Sequence, residues 1–322
     1  MRNEILDMLR EAPAGISGQE MSRRLNVSRT AVWKGVEALR QEGYEIASAT
    51  NRGYRLISCP DVLTEAAIRP YISARRLGEN LICLDAVDST NTHLKDLAAR
   101  GAPDGTVVVA DTQTEGRGRL NRGFLSPPGE GVYLSALLRP DIEAADVTAI
   151  TAMAAVAVCE AIAAVSAIRP GIKWVNDIVC DDKKLCGILT ELSVESEMGR
   201  VQSIVIGAGI NVKQKDFPEE LRDRAASLWT LGDQAVRRSE LAGALISSFD
   251  RVYNALGGGE EVYMERYRAL SATVGRDIRV IIGGRERDAV ALAIDDGGGL
   301  MVRYPDGQME TLRYGEVSVR RK

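Results

Sequence analysis

Between two apolar runs, Val107-Val108-Val109-Ala110 and Gly131-Val132-Tyr133-Leu134, lies a loop suited to holding negative charge. Its centre reads Gly116-Arg117-Gly118-Arg119-Leu120-Asn121-Arg122-Gly123-Phe124. Arginine keeps its charge at any physiological pH and presents a fork of donors that matches carboxylate and phosphate. Gly116, Gly118 and Gly123 permit backbone angles and close approaches that a Cβ forbids. The apolar runs on either side read as buried strands. Like-charge repulsion predicts a loop that is mobile when empty and ordered by an anionic ligand. It is not a Walker loop, because no Gly-Lys-Ser/Thr ending follows. Taken by itself, a solvated surface hairpin explains the loop equally well.

Other polar residues suggest company for it. In Gly171-Ile172-Lys173-Trp174-Val175-Asn176-Asp177-Ile178, alternation puts Ile172, Trp174 and Ile178 in one environment and Lys173 and Asn176 in another. An Asn176-Asp177 pair inside a strand-like run is costly unless it serves a ligand or a metal ion. Gly187, Gly207 and Gly209 punctuate the following strands, 184–192 and 201–212, where a side chain would obstruct something. Upstream, Ser89 and Thr90 stand at a strand-to-helix turn. They serve either as caps on that helix or as hydroxyls facing a polar ligand head. The single histidine, His93, excludes multi-histidine zinc catalysis and confines any Ser-His or Cys-His pair to one residue.

The elements that must carry these residues fall into several parts. A chain of 322 residues is long enough for two or three domains. Its 45% hydrophobic and 27% charged content is that of a soluble globular protein. A net charge of -4 argues against nucleic-acid binding over the whole surface but not against a local basic face. Five cysteines without metal-ligand spacing suggest reduced thiols and a cytoplasmic setting, and the polar opening Met1-Arg2-Asn3-Glu4 does not read as a signal peptide. The apolar stretch 149–168 is expected as a buried helix rather than a membrane span, so no membrane partner is expected.

Residues 1–60 predict a winged helix-turn-helix. Ile5, Leu6 and Leu9 mark a first helix; Ser17 with Glu20 forms a capping box for a second, which turns Met21 and Leu25 inward. Ser28 caps a third, with Val32, Val36 and Leu39 inward, and a hairpin follows Gly43. Ser28, Arg29, Thr30, Trp33 and Lys34 then occupy the end of the helix that meets base edges, and Arg52 sits at the wing tip, within reach of a phosphate or the minor groove. Nine Lys or Arg against seven Asp or Glu leave the unit barely basic, so the placement of Arg23, Arg24, Arg29, Lys34 and Arg52 favours DNA over a protein partner. Residues 61–80 are expected as a linker with a short helix over 64–77. A larger domain spans 81–271, with helices at 217–227, 238–256 and 260–270. From residue 272 to 322 short strands and glycine turns predict a small all-β domain.

Taken together and in order, Asp88-Ser89-Thr90-Asn91, the Gly116–Arg122 loop, Lys173-Trp174-x-Asn176-Asp177, Lys184-Leu185-x-Gly187-Ile188 and Gly207-x-Gly209-Ile210-Asn211 resemble the bacterial biotin protein ligases. With the winged helix in front, the chain is similar to the bifunctional form that also represses the biotin operon, over essentially its whole length. The resemblance implies an α+β chain: a winged helix-turn-helix, a central mixed-sheet ligase domain of class II synthetase-like type, and a small SH3-like β-barrel. It implies ATP, Mg²⁺ and biotin as cofactors and substrates. Biotin carboxyl carrier protein, operator DNA and, when adenylate is bound, a second copy of the chain are the implied partners. Residue by residue, it assigns biotin to Ser89, Thr90, Asn91, Gln113, Gly116, Arg117, Lys184, Gly187, Gly207 and Gly209. It assigns the nucleotide to Arg119, Arg122, Phe124, Asn176, Asp177 and Asn211, with Asp177 at the metal and Lys184, Arg117 and Arg119 as the catalytic cations. Phe124 stands where the family usually has Trp, and Leu120-Asn121 replaces a more basic pair. A sensor without turnover and a lipoate ligase are the competing readings; the latter lacks its glycine-rich motif followed by His-Asp.

Overall fold

The computed structural model describes residues 1–49, 53–141, 147–194, 201–256 and 258–319, and the chain divides into two compact units, Met1–Val62 and Leu63–Lys322. In the first unit, α1 (Arg2–Glu11), α2 (Gly18–Leu25) and α3 (Arg29–Gln41) precede the hairpin β1 (Glu45–Ala49) and β2 (Gly53–Ser58). Ser17 and Ser28 cap α2 and α3, each hydroxyl accepting from the backbone N–H three residues on, Glu20 and Ala31, at 3.1 Å. Asn26 ends α2 by turning left-handed at φ 52° and donating its N–H to Ser22. Ile5, Leu6, Leu9, Met21, Val32, Val36 and Leu39 form the core, with Leu25 half-buried. Gly53 must be glycine: its φ is +71°, and a Cβ would stand 2.1 Å from the Ile16 carbonyl oxygen.

The second unit is organised on a mixed seven-stranded sheet in the order β3-β4-β5-β9-β8-β7-β6. These strands are β3 (Leu81–Val87), β4 (Val107–Gln113), β5 (Gly131–Leu138), β6 (Gly171–Lys173), β7 (Asp177–Cys180), β8 (Lys183–Val194) and β9 (Val201–Asn211). Only β3 and β4 run parallel; the other neighbours are antiparallel. Alternation along β4 sends Val107 and Val109 to the larger core and Val108 to a smaller one shared with Leu94 of α5 (Thr90–Ala99). On the larger side lie α6 (Val147–Val165), α7 (Arg238–Ala255) and α8 (Glu260–Ala269). α6 is long and apolar enough to cross a membrane, yet it is packed into this core, as expected of a buried helix.

Two helices expected from the sequence fall short. The stretch at 64–77 is helical only over α4 (Glu65–Ile68) and one 3₁₀ turn containing Pro70, after which the chain extends. It is no free linker from Leu63 onward: Leu63, Ile68 and Leu77 join the core, and the buried Asp250 carboxylate accepts the backbone N–H groups of Arg75, Arg76 and Leu77 at 2.8–3.1 Å. Residues 217–227 form turns instead of a helix. Leu221 and Arg222 donate to the Pro218 carbonyl, then Arg224 and Ala225 to Leu221. The segment is captured by the start of β8, where Lys184 N–H donates to Arg224 at 2.7 Å and Ala226 N–H to Lys184 at 2.9 Å. Bonding that strand edge outweighs extending one turn into a helix.

The C-terminal strands β10 (Asp277–Ile282), β11 (Arg285–Ile294), β12 (Leu300–Arg303), β13 (Met309–Leu312) and β14 (Glu316–Val319) make an antiparallel sheet ordered β13-β12-β11-β10-β14. It is anchored to the β6–β7 hairpin by buried Trp174, whose backbone N–H donates to Thr273 Oγ1 and whose Nε1 donates to the Gly298 carbonyl, both at 2.9 Å. Asp250→Ala would strand three backbone donors, and we expect a loss of about 3 kcal/mol or more. Urea unfolding checks this, and a loss within experimental error of zero would show that solvent replaces the carboxylate.

Candidate active site

A cleft of about 750 Å³ opens over the C-terminal half of the seven-stranded sheet, and every residue assigned above to biotin or nucleotide lines it except Gly116. Gly116 works one layer behind, where a Cβ would stand 2.4 Å from the Phe124 carbonyl oxygen and 2.7 Å from Ser126 Oγ. The arginine loop is closed, not splayed by repulsion. Gly118 N–H donates to Arg122 at 2.7 Å and Phe124 N–H to Gly116 at 2.8 Å, with Leu120 left-handed and exposed at the tip. Its cations point to separate acceptors. Arg119 donates to Asn176 Oδ1 at 3.2 Å, Arg122 pairs with Glu316 of β14 at 2.7 Å, and Arg117 stands 3.9 Å from Glu115, half in solvent.

Asn176 and Asp177 do not interrupt a continuous strand. Residues 174–176 are the turn of the β6–β7 hairpin, with Lys173 opposite Asp177. Asn176 is held from both sides, receiving Arg119 and donating Nδ2 to the Ile188 carbonyl at 2.6 Å. Asp177 forms an ion pair with Lys184 at 2.6 Å. Lys173, largely withdrawn from water in the same wall, has its pKa lowered by burial, against the opposing pull of Asp177. Among the described residues no cluster of three His, Cys, Asp or Glu side chains forms a cation site.

The other end of the cleft is neutral. Ser89 Oγ caps α5, accepting from Thr92 N–H at 3.5 Å, so its first duty is structural. Gln113 Oε1 accepts from Thr90 N–H at 2.9 Å, while its Nε2 donates to Ser126 Oγ at 2.9 Å. Asn91 is buried and occupied by the protein: Nδ2 faces the Leu189 carbonyl and Glu191, and Oδ1 faces Ser135. A Cβ on Gly207 would lie 2.1 Å from Asn91 Oδ1, so this glycine makes room for a side chain before it makes room for a ligand. Asn211 is likewise engaged, donating to the Ala226 carbonyl at 3.0 Å. Phe124 lies over the glycine floor: a Cβ on Gly209 would meet its ring at 2.4 Å and one on Gly187 at 3.4 Å, with Tyr133 edge-on at 6.5 Å. The ring expected beside the nucleotide therefore sits on the glycines expected beneath biotin.

Lys173, Arg224 and Phe217 on the turn-rich segment, and β14 also line the cleft, though none was a site expected from the sequence. Lys173 was within reach, because it stood apart from the apolar positions of its run. Glu316 carried no such signal, since Gly315-Glu316-Val317 reads as a turn entering a surface strand.

The sequence model of the biotin/lipoate A/B protein ligase family matches residues 83–211, that of an HTH domain residues 2–55, and that of the biotin protein ligase C terminal domain residues 273–320. The bifunctional ligase/repressor BirA of Bacillus subtilis is 39% identical over 95% of this chain and 95% of its own. The chain belongs to the bifunctional biotin protein ligase/repressor family. The Escherichia coli bifunctional ligase/repressor BirA is 29% identical over 94% of this chain and 92% of its own. A biotin protein ligase from Aquifex aeolicus, solved in complex with biotin and ATP, superposes with a TM-score of 0.66 and 30% identity, covering 76% of this chain and 100% of that one. Membership of that family makes the chain a biotin protein ligase that carries a repressor's helix-turn-helix domain.

In the repressor's first unit, Ser28, Arg29, Thr30, Trp33 and Lys34 are all exposed along the start of α3. Arg52 lies outside the described residues. Arg23 and Arg24 are not free cations: both bond the Glu20 carboxylate, which they hold down at about 2. Because that folded value lies below the ordinary 4.5, the pairing is complete above pH 4.5 and is lost as pH falls through about 2. Glu20→Gln frees two arginines, so DNA binding should tighten and the slope of log affinity against log salt should steepen by up to about 2. An unchanged slope would place Arg23 and Arg24 away from the phosphates. For the ligase cleft, Gly209→Ala drives a methyl into the Phe124 ring and should weaken biotin binding about tenfold or more while leaving the winged helix intact. Calorimetry that finds wild-type affinity would show the ring free to move aside.

Proposed function

We propose that one cleft serves both activities, with biotin lying along Thr90, Gln113 and the glycine floor and ATP under the arginine loop. The observation that carries this reading is the convergence of Lys184, Arg119 and Arg122 on the end of a cleft whose other end is neutral and hydrogen-bonding. Lys184, held by Asp177 and partly exposed, is released to the biotin carboxylate when that anion arrives. A carboxylate oxygen attacks the α-phosphorus of ATP, the bond from that phosphorus to the α,β-bridging oxygen breaks, and pyrophosphate departs, leaving biotinyl-5′-adenylate behind. The nucleophile is already ionised, so alignment and charge neutralisation suffice and no histidine is needed. Arg119 and Arg122 meet the phosphates and Arg117 the biotin, with Asn176 and Asn211 at the nucleotide. A carrier-protein lysine amine then attacks the acyl carbon and AMP departs.

Mg²⁺ fits here only in company. Asp177 would supply one carboxylate, which is paired with Lys184, and a cation held there would need phosphate and water for the rest of its ligands. It would supply charge neutralisation at the phosphates. In this reading residues 1–60 bind operator DNA through Ser28, Arg29, Thr30, Trp33, Lys34 and Arg52, 81–271 carry the chemistry, and 272–322 close the cleft. Adenylate ordering of the loop favours a homodimer that sets two winged helices on one palindromic operator, and the work is cytoplasmic.

Biotin-dependent exchange of pyrophosphate into ATP tests the chemistry. Lys184→Ala should lower the exchange rate by at least about 100-fold, the scale of losing one oriented charge from the transition state. Turnover equal to wild type would remove Lys184 from the mechanism. No exchange by folded wild-type protein would leave a sensor without a ligase.

A further inference from the structure

We infer that Leu120, at the tip of the arginine loop, is a docking residue for the acceptor protein, packing against an apolar side chain beside the lysine that takes the biotinyl group. This rests on the two-step reaction proposed above. Two features of Leu120 each carry a cost. Its backbone is left-handed, at φ 56° and ψ 35°, where a Cβ crowds the carbonyl that follows and glycine sits more easily. Its side chain is 73% exposed, the most of any large apolar residue among those described. The loop itself asks for neither. It is closed by Gly118 N–H donating to the Arg122 carbonyl and Arg122 N–H donating to that of Arg119, bonds that a glycine at 120 would leave intact. Strain and bare apolar surface kept together at a loop tip point to a contact with another molecule.

The position of the tip selects which molecule. Leu120 follows Arg119, whose guanidinium reaches Asn176 at 3.2 Å, and Asn176 precedes Asp177, the partner of Lys184. The tip is therefore the outer surface of the roof over the place where carboxylate meets phosphate. Leu125, 42% exposed, borders the cleft at the far end of the same loop. Biotin and ATP lie on the inner side of that roof, so the first step does not use Leu120. The second step does. The acceptor's amine nitrogen bonds to the acyl carbon, the bond from that carbon to the AMP oxygen breaks, and the amine's proton passes to solvent. A lysine has only a four-carbon stem, so the protein that delivers it must bring its own surface against the roof.

Leu120→Ser should separate the two steps. Biotin-dependent exchange of pyrophosphate into ATP should stay within about twofold of wild type, while the KM for a purified biotin carboxyl carrier domain rises about tenfold with little change in kcat. Hydroxylamine, an acceptor too small to touch the tip, should capture the biotinyl group equally fast from both proteins. Leu120→Gly removes the strain along with the contact and should match Leu120→Ser. Leu120→Met keeps an apolar tip and should hold the carrier KM within about threefold of wild type. An unchanged carrier KM in Leu120→Ser overturns the inference. So does an equal loss with hydroxylamine or in pyrophosphate exchange, which would place Leu120 in the chemistry of the cleft itself. A carrier defect that appears only where sedimentation velocity shows a homodimer lost overturns it too, since the tip would then meet a second copy of the chain. Folded wild-type protein that performs no exchange overturns the two-step reading instead, and the inference with it.

Discussion

The cleft depends on a one-residue slip in the pairing of β7 with β8. Asp177 lies opposite Gly187 and Ile178 opposite Cys186, but Val179 lies opposite Lys184. In an unbroken antiparallel ladder Val179 would face Leu185, and Lys184 would share the buried side with Ile178 and Cys180. The bulge turns Lys184 over to the face that carries Asp177 and Gly187, and leaves Leu185 and Cys186, two consecutive residues, both fully buried. The ion pair at 2.6 Å is a consequence of that slip. So is the space above Gly187, since the Lys184 side chain crosses it at 3.0 Å from where a Cβ would be. Moving the register back by one would bury a lysine among aliphatic groups and empty the cleft of its central cation.

From that point outward the cleft is graded. One end collects charge from four separate elements: the arginine loop, the strands of the β6–β7 hairpin, the start of β8 and, through Glu316, the C-terminal sheet. The other end is a closed circuit of neutral donors and acceptors in which Thr90, Asn91 and Ser135 are buried. A ligand with a neutral polar head and an anionic tail meets complementary chemistry at both ends, whereas a short anion meets it at one. Between them the floor is glycine, opposed in register as Gly187 with Gly209 and Leu189 with Gly207, so that β8 and β9 present bare backbone where side chains would otherwise stand.

Local chemistry was legible in the sequence wherever one residue type decides one geometry. Ser17 and Ser28 cap helices as read, Gly43 follows α3, and the β-branched run at 107–110 is a buried strand. The loop's cationic character was legible; its closed shape was not, because Asn176 and Glu316 lie 57 residues or more away from the arginines they receive. The bulge at Val179 was hidden for a similar reason. Strict alternation across Lys184-Leu185-Cys186-Gly187 puts lysine and glycine on opposite faces, and only the partner strand reveals the break. The failed helix at 217–227 shows the same limit: its residues favour a helix locally, and an edge of β8 claims their backbone.

Lys173 shows how such a cleft can respond to what enters it. Burial alone makes its ammonium unfavourable, and the nearby cations Lys184 and Arg224 add to that, while Asp177 and Glu316 oppose it. Each new negative charge placed in the cleft acts on the favourable side of this balance, as Asp177 already does. Anion binding and protonation of Lys173 therefore support each other, and by reciprocity the more fully charged wall binds the anion more tightly. Arg119 and Arg122 cannot take part in this exchange, since a guanidinium stays charged, so they hold position through Asn176 and Glu316 instead. The cleft thus combines guanidinium charge on its loop with an ammonium in its wall that burial disfavours and Asp177 supports.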